Sequence, residues 1–454
     1  LATEAGQIDD MLSSSSTGLT ATLQAFANSI QTLSTSPSST ASGQAVLSQA
    51  QTLVQQLRSY DSQLSQIGTQ LESQISSSVT QINTISGQIA TLNGEISAQT
   101  ISGQAPNELE DQRDELISNL SKLVTVNTVT EANGAVDVYI GSGQALVTGS
   151  TAQQLTTVPS AYDASALDVG LTNASGTTDI TSEVSGGSLG GLLAARSQAL
   201  TPAENGIGRI SVTLATLVNQ QQQAGMDLTG AQGQKMLSVG GVQVLASSAN
   251  SDTTSVTATR TTLSGLTTDD YVLRYTGTAW QLTDQATGAN VAFSGTGTST
   301  DPIEAAGLSI VVKGVGAGDT VASGDSFLIR PTAGATAGLS VLLTSPSQIA
   351  SASLIQATAA SGNTGQAAVS SALITDYPTW AAATAGPPYT ISFTSPTQYT
   401  VTSGGSPVIS GTYTSGDPIT FNGAAVTLTG TPATGDSFTV GANSPANTGD
   451  NSNA

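Results

Sequence analysis

The chain has 454 residues, of which 10 are Lys or Arg and 31 are Asp or Glu, so its formal net charge is −21. A protein of this charge repels nucleic acid and anionic membrane surfaces, which argues against either partner. Because the sequence contains no Cys and no His, it excludes disulfides, thiolate nucleophiles, Cys/His zinc sites and a Ser-His-Asp triad within it. At roughly 100–200 residues per domain, the length predicts three or four domains.

The N-terminal part of the chain predicts long helices. Apolar residues at spacings of four and three form a coiled-coil-like seam, which consists of Leu19, Leu23, Phe26, Ile30 and Leu33. After a break at Pro37, a second pattern from Leu64 to Ile96 has a mean spacing near 3.6 residues. With its lead-in from Leu47, it predicts a helix of about 50 residues, a rod that packs beside other helices. We expect part of this seam to lack its partner helix within this chain.

A short helix and small strands follow. Asn107 is predicted to cap the helix, with Glu110 at the capping-box position. From Val124 the apolar spacing changes to two, and Asn133-Gly134 predicts the turn of a β-hairpin. Strands are expected to continue to about residue 184, and a helix is expected from about residue 189 to 223.

The part of the chain from about Lys235 is rich in Thr, Gly and Ser and contains an internal repeat. Three pairs of segments correspond: 271–275 with 389–393, 301–303 with 417–419, and 324–327 with 435–438. The spacing between these segments differs by only a few residues. Two similar all-β domains are therefore predicted.

Three kinds of residue invite a functional interpretation, and a structural one is favoured for each. Gly314-x-Gly316-x-Gly318 lacks the ending of a phosphate loop, so it predicts a glycine-rich turn. Asp269-Asp270 and an acidic helical group lack a calcium-loop pattern. The group lies beside Arg113, which indicates a solvated face with local ion pairs; it consists of Glu108, Glu110, Asp111, Asp114 and Glu115. Trp280 and Trp380 are expected in β-domain cores rather than on a sugar-binding platform. We predict no catalytic, cofactor-binding or metal site, and no cofactor.

Motifs in the helical segments are those of one known family. Residues 107–114, NELEDQRD, fit the pattern N-[DE]-L-x-D-x-R-D, and Ile82-Asn83, Ile89-Ala90, Leu92-Asn93 and Ile96 fit a second pattern. Further matches are residues 26–33, residues 187–193 with Arg196, Asn219, residues 225–230, residues 324–331 and residues 447–454. On these residues the chain resembles the family of the first flagellar hook-associated protein, the hook-side junction protein of the bacterial hook–filament joint.

Patterns and resemblance together predict a multidomain α+β fold. It comprises an elongated helical-bundle, coiled-coil-like inner domain with a small β subdomain, plus two similar all-β outer domains. The predicted assignment is a helical inner domain at 1–123 and 186–230, a small β subdomain at 124–185, a first outer domain at 235–338, a return segment through the helical body at 339–363, a second outer domain at 364–446, and the start of missing C-terminal helices at 447–454.

The resemblance implies a secreted, extracellular structural subunit of the bacterial flagellum that leaves by type III export and is needed for filament assembly and motility. The implied partners are further copies in a ring at the flagellar tip, the hook protein on one side and the filament-side junction protein on the other. An export chaperone is expected to bind the missing C-terminal segment. The protein is not expected to be an enzyme, and this chain without polymerising ends is expected to be a monomer.

Other functions remain open from the residues alone. The filament-side junction protein is the nearest alternative within the flagellum, and a secreted or surface adhesin would bind glycan or host protein through its β domains. A carboxylate-dependent glycosidase needs two acids about 5–10 Å apart in a cleft. The sequence contains no run of about 18 apolar residues and no basic segment before an apolar core, so neither membrane insertion nor a cleaved signal peptide is expected.

Overall fold

The computed structural model of the protein describes residues 6, 18–173, 176–250, 254–313, 321–383 and 386–443. These residues form helices and antiparallel sheets, which is the predicted α+β class. They divide into two compact units. One contains Tyr60–Arg209 and Gly241–Gly334, and the other contains residues 18–59, Ile210–Gly240 and residues 335–443.

The helices of the described chain are α1 (Leu19–Thr35), α2 (Thr40–Ile101), α3 (Asn107–Ser121), α4 (Gly187–Ala195), α5 (Thr201–Gln223) and α6 (Tyr377–Ala382). A π-helical turn at Arg196–Leu200 joins α4 to α5, and 3-10 turns lie at Thr181–Glu183 and Pro346–Gln348. With 62 residues, α2 starts earlier than the predicted lead-in. The hydroxyl of Ser39 accepts the N–H of Ser42 (3.2 Å) and so satisfies a donor in its first turn.

The N-terminus of α3 differs from its prediction. Asn107 is already helical, Pro106 occupies the cap position, and no side chain caps this helix, so the capping-box prediction is wrong. A residue with helical backbone cannot place its side chain as an N-cap does. Glu108 and Glu110 still lie in the first turn, where carboxylates interact favourably with the helix dipole.

The long seam of α2 is mostly covered within the described chain. Seven of its ten apolar residues are at most 4% exposed, and these are Leu64, Leu71, Ile75, Val79, Ile82, Ile89 and Ile96. Ile67, Ile85 and Leu92 are half-buried. Most of the seam is therefore covered within the described chain, while the expectation that part of it lacks a partner helix stays a prediction for these three positions. Helical spacing identifies a buried face but not what covers it, and here Ile96 lies against the hairpin turn at Gly134.

Two small antiparallel sheets lie between α3 and α4. Their strands are β1 (Val126–Thr130), β2 (Val136–Ile140), β3 (Gln144–Thr148), β4 (Thr151–Ala152), β5 (Gln154–Pro159), β6 (Leu167–Asn173) and β7 (Gly176–Asp179). The sheet orders are β1-β2-β3-β4 and β5-β6-β7. The predicted hairpin is present, because Thr130 pairs with Val136 across the turn. Gly134 has a φ of 85°, the left-handed conformation that glycine adopts without strain.

The first β domain follows two short strands, β8 (Gly225–Met226) and β9 (Leu237–Ser238). Its strands are β10 (Gln243–Ala246), β11 (Ser255–Arg260), β12 (Tyr271–Tyr275), β13 (Trp280–Asp284), β14 (Ile303–Ala305), β15 (Leu308–Lys313) and β16 (Ser326–Arg330). They form two antiparallel sheets, β10-β16-β12-β13 and β11-β15-β14. Burial alternates along β12 and β15, where Leu273 and Ile310 are fully buried, as expected for strands with one face on a core.

The second β domain follows β17 (Ser340–Val341) and β18 (Ala352–Ser353), which pair with β9 and β8. Its strands are β19 (Ile355–Ala359), β20 (Ala368–Ile374), β21 (Tyr389–Ser395), β22 (Gln398–Ser403), β23 (Ser406–Thr412), β24 (Pro418–Phe421), β25 (Ala424–Thr429) and β26 (Ser437–Ala442). The sheets are β19-β26-β21-β22-β23 and β20-β25-β24. Tyr389, Phe393 and Phe438 lie in the core between them.

The internal repeat is present in the strand order. Strands β10, β16, β12 and β13 correspond to β19, β26, β21 and β22, and β11, β15 and β14 correspond to β20, β25 and β24. Strand β23 is an addition in the second copy. Since β19 pairs with β26, the sheet of the second copy begins before residue 364, inside the predicted return segment. The domain assignment as a whole stays a prediction.

One contact recurs in both copies and has no signal in the sequence pattern. Asn250 donates from Nδ2 to the carbonyl of Ser326 (3.0 Å) and accepts the N–H of Ser326 at Oδ1 (2.9 Å). Asn363 makes the same two bonds to Ser437, at 2.9 and 2.8 Å. In each copy, an asparagine after the first strand therefore fixes the start of the last strand.

Asp436 precedes that last strand in the second copy. Its carboxylate accepts the N–H groups of Ala433 (2.8 Å), Thr364 (2.8 Å) and Gly365 (3.1 Å). The N–H of Ala433 first, then those of Thr364 and Gly365, hold the pKa of Asp436 below its ordinary value, against the opposing effect of desolvation. Hydrogen bonds from N–H groups stabilise the charged form of the carboxyl.

The lowered pKa of Asp436 predicts acid sensitivity of the second β domain. The stabilisation is present above the unfolded pKa of about 3.9 and is lost as pH falls through the lower folded pKa. With only two tryptophans in the chain, a Trp280→Phe background lets the fluorescence of Trp380 report this domain in urea. We expect Asp436→Asn to flatten the fall in urea midpoint between about pH 7 and pH 3.

Asp417→Asn is the matched control, because Asp417 is an exposed acid of the same domain. It should leave the pH dependence as in the parent. An Asp436→Asn variant whose urea midpoint falls as steeply as that of the parent would contradict the role of this carboxylate.

Candidate functional site

Side chains on the helices bind the backbone of the neighbouring strands, and Asn93 of α2 is the most buried of these. Its Nδ2 donates to the carbonyls of Val136 and Gly149, both at 2.8 Å, and its Oδ1 accepts the N–H of Val136 at 3.1 Å. Asn93 is fully buried. A carboxamide offers the same donor and acceptor as a peptide group, so it pairs with backbone groups that no strand reaches.

Asn83 repeats this arrangement ten residues earlier on α2. Its Nδ2 donates to the carbonyl of Leu155 (2.7 Å), and its Oδ1 accepts the N–H of the same residue (2.8 Å). Asn93 thus binds the first small sheet and Asn83 binds the second. Both asparagines belong to the motif that carries the family resemblance, and the structure assigns them the attachment of the small sheets to α2.

Arg196 and Glu72 bind the start of strand β6 in the same way. Glu72 accepts the N–H of Leu167 (2.9 Å), and Arg196 donates to the carbonyl of Leu167 (2.7 Å). Arg196 also forms ion pairs with Glu72 and Asp168, both at 3.1 Å. The three charged side chains are 16–18% exposed. The π-helical turn, the long helix and the sheet are therefore joined by one charged cluster.

Arg113 is the arginine of the motif at residues 107–114, and it binds the neighbouring hairpin. It is 6% exposed, and its Nη1 donates to the carbonyl of Gly134 in the hairpin turn (2.8 Å). Its Nη2 pairs with Asp114 at 3.2 Å. The arginine and following aspartate of the signature therefore hold the β1–β2 hairpin against α3.

Arg330, at the end of β16, binds two acids from different elements. Its Nε donates to Asp270 (3.0 Å) and its Nη2 donates to Glu204 of α5 (3.3 Å). Asn205 adds bonds from Nδ2 to the carbonyl of Thr268 (2.9 Å) and to Asp270 (3.1 Å). Burial raises the pKa of Asp270 and of Glu204, although the charge of Arg330 opposes this. The positive charge of Arg330 is thus shared by two partly buried carboxyl groups, those of Asp270 and Glu204.

In the other compact unit, α5 uses two amides of its last turns. The Oδ1 of Asn219 accepts the N–H groups of Met236 (2.8 Å) and Leu237 (2.9 Å), while its Nδ2 donates to the carbonyl of Leu237 (2.7 Å). Gln222 donates to the carbonyl of Gln348 (2.6 Å) and accepts the N–H of Ala350 (3.1 Å). The segment after the first β domain is therefore held on the helix.

The residues considered for chemistry do not form a catalytic group. Asp270 is an ion-paired residue rather than a free acid, and the acids of α3 are exposed or half-buried, as a solvated face requires. Trp280 and Trp380 are half-buried and pack against Tyr275 and Tyr389. The glycine-rich turn predicted at 314–318 and the helix entry predicted at 447–454 lie outside the described residues.

Two cavities bear on the glycosidase alternative, which needs a pair of acids in a cleft. A cavity of about 260 Å³ beside β12 and β13 has Asp284 as its acid, and a groove of about 500 Å³ between α2 and α3 has Glu115. Neither has the pair of acids that the reaction needs. In the described ranges, no cluster of three acids could hold a metal ion, and no helix is long and apolar enough to cross a membrane.

Comparison with known proteins identifies the family. The family model described as "Flagellar hook-associated protein FlgK helical domain" matches residues 5–237. The chain belongs to the FlgK family of flagellar hook-associated proteins. A second description, "Flagellar hook-associated protein 1, D2-like domain", matches residues 245–331 and 358–442, which are the two β segments. The family predicted from the motifs is confirmed.

Individual relatives agree with this family. Flagellar hook-associated protein 1 of Salmonella typhimurium is 36% identical over 255 residues, 56% of this chain and 45% of the relative. The protein of that name from Escherichia coli is 34% identical over 268 residues, 59% of this chain and 48% of the relative. The chain thus spans about half the length of these relatives. The flagellar hook junction protein FlgK from Burkholderia pseudomallei has a similar structure, with a TM-score of 0.83 at 32% identity, over 99% of this chain and 86% of that one.

Sequence reasoning found some of the attachment residues and missed others. Asn83, Asn93, Arg113, Arg196 and Asn219 all lie in the motifs of the family resemblance, although no role was predicted for them. The residues missed are their partners and most of the second charged cluster, which comprise Glu72, Asp168, Glu204, Asn205, Gln222 and Arg330; Asp270 was considered as a calcium ligand and not as an ion-pair partner. A polar residue on the apolar face of a helix is the signal that identifies Asn93 and Asn205.

Asn93→Leu tests the attachment of the first small sheet. The substitution keeps the size of the side chain but leaves Val136 and Gly149 with unpaired buried backbone groups, so we expect a local loss of about 2–4 kcal/mol. Amide hydrogen exchange in β2, followed by mass spectrometry, measures that loss. Gln81→Ala on the exposed face of α2 is the control and should change stability by less than about 0.5 kcal/mol. Equal exchange in both variants would contradict the assignment.

Arg196→Met tests the charged cluster at β6. Removing the guanidinium leaves Glu72 and Asp168 without their cation, and we expect a loss of about 3 kcal/mol in the protection of β6 amides. Arg196→Lys keeps the charge but not the forked geometry, so its loss should be intermediate. Arg58→Met, at an exposed arginine, controls for the change in net charge. Unaltered β6 exchange in Arg196→Met would show that the cluster does not hold the strand.

Proposed function

We propose that the protein is a structural subunit of the bacterial flagellum that forms the junction between hook and filament and is needed for filament assembly and motility. The observation that carries this proposal is the similarity over 99% of the chain to a flagellar hook junction protein, at a TM-score of 0.83. The helical family match over residues 5–237 supports the same role. The protein then works outside the cell, as part of the flagellum.

The attachment residues support a load-bearing role. Three attachments hold the small sheets, and each binds both the N–H and the C=O of one strand residue. Asn83 binds Leu155, Asn93 binds Val136, and the Arg196–Glu72 pair binds Leu167. Paired donor and acceptor contacts resist sliding along the strand as well as separation, because a displaced strand loses both bonds. A subunit that transmits torque from hook to filament needs such attachments.

The proposed partners are other subunits of the same structure. Copies of the protein associate in a ring at the flagellar tip, the hook protein lies on one side, and the filament-side junction protein lies on the other. A chaperone binds the protein before export. The protein acts by assembly and not by turnover, which its membership of the flagellar hook-associated family supports.

Gene deletion tests the function in the bacterium that makes this protein. We expect cells without the gene to have bare hooks, to release flagellin monomers into the medium and to be non-motile. A wild-type copy and a Gln81→Ala copy should both restore filaments. Filaments of normal number and length in the deletion strain would disprove the junction role, and normal filaments with lost surface attachment would favour the adhesin instead.

A further inference from the structure

The first turns of α5 approach the chain that leaves β16. A side chain at Gly208 would overlap the carbonyl oxygen of Thr332, and its Cβ would lie 3.4 Å from the Cβ of that threonine. Glycine at this position therefore allows the backbone of Thr332 to reach the helix. Thr332 is fully buried at this contact.

Two polar atoms at this contact need partners. Within the described ranges, Asn205 Oδ1 and Thr332 Oγ1 are the buried side-chain atoms that have no hydrogen-bond partner. Asn205 is 2% exposed and Thr332 is 0% exposed. Turning the amide of Asn205 does not solve the problem, because its Nδ2 already donates to the Thr268 carbonyl and to Asp270.

Asn205 and Thr332 lie at the same face of α5. Asn205 precedes Gly208 by three residues, so the two positions share one helix face about 5–6 Å apart, and Thr332 packs at Gly208. A water molecule that bonds to both oxygens spans at most about 5.6 Å, twice an ordinary O–H···O distance. The Thr268 carbonyl, Asp270 and Arg330 make the surroundings polar, as an internal water requires.

We propose that this contact is a binding site for an internal water molecule, which donates to Asn205 Oδ1 and bonds to Thr332 Oγ1. Folded proteins contain about one buried water per 27 residues, and most of these bind polar groups that lack protein partners. The water links α5 to the segment after β16, beside the direct link between Arg330 and Glu204. It is thus part of the attachment of the first β domain to its helix.

Thr332→Val is the decisive variant, because it replaces the hydroxyl by a methyl group of similar size. If the hydroxyl binds water, its removal takes away one of the two bonds that hold the water. Exchange of the β16 amides should then become about 5–30-fold faster. If the hydroxyl has no partner, its removal relieves a desolvation cost, and exchange should be unchanged or slower. The second result overturns the proposal.

Two control variants calibrate this measurement. Thr332→Ser keeps the hydroxyl, so it should keep the water and retain more of the β16 protection than Thr332→Val. Thr336→Val removes a fully buried hydroxyl that bonds directly to Ser211 (2.9 Å), and faster exchange at residues 336–339 shows the effect of a known lost bond. Should Thr332→Val fail to fold, Thr332→Ala removes the same hydroxyl and leaves the direct bonds of Asn205 to Thr268 and Asp270 in place.

A high-resolution crystal structure gives the direct test. We expect one electron-density peak within about 3 Å of both Asn205 Oδ1 and Thr332 Oγ1 in the parent protein and in Thr332→Ser, and its loss in Asn205→Ala. No peak, or a peak with the short multiple oxygen contacts of a metal ion, would refute the proposal. In a double-mutant cycle, Asn205→Ala and Thr332→Val should accelerate exchange by less than the product of their separate effects.

Discussion

The pairing of helix side chains with strand backbone is the interaction on which the described structure depends. Strands at the ends of small sheets have N–H and C=O groups that no neighbouring strand satisfies, and burial of such groups without a partner is costly. Asn83, Asn93, Asn219 and Gln222 each satisfy at least one backbone donor and at least one backbone acceptor. Because each amide bonds in both directions, it fixes the position of the strand along the helix as well as its distance.

The few positive charges of the chain serve the same purpose. Arg113, Arg196 and Arg330 are directed at backbone carbonyls or acids of other elements, and Arg260 donates to the carbonyls of Pro331 (2.7 Å) and Gly241 (3.0 Å). Four of seven arginines are thus engaged in holding elements together. A net charge of −21 therefore leaves a predominantly acidic surface, which keeps phosphate-bearing molecules away.

Helices and strands with a regular apolar spacing could be predicted from the sequence. The elements that pack against their buried faces could not. The spacing of Leu64 to Ile96 identified α2 and its buried face, but not the elements that cover that face, such as the hairpin turn beside Ile96. The strand repeat was visible because Gly324–Phe327 and its counterpart share residues at turns and core positions, whereas Asn250 and Asn363 are isolated polar residues with no period. Arg330 and its acids are 60 and 126 residues apart in the chain, so no local pattern relates them.

Strand β23 pairs with β22 alone, at the free edge of the larger sheet of the second β domain. Among its described residues, the first domain has no counterpart to β23 and still has both of its sheets. The backbone of β23 is held by one ladder of hydrogen bonds, and Val408 is its one residue that packs against the described core. Most residues of β23 are exposed, so this strand gives the second β domain a polar outer surface that is built on a single ladder of backbone hydrogen bonds.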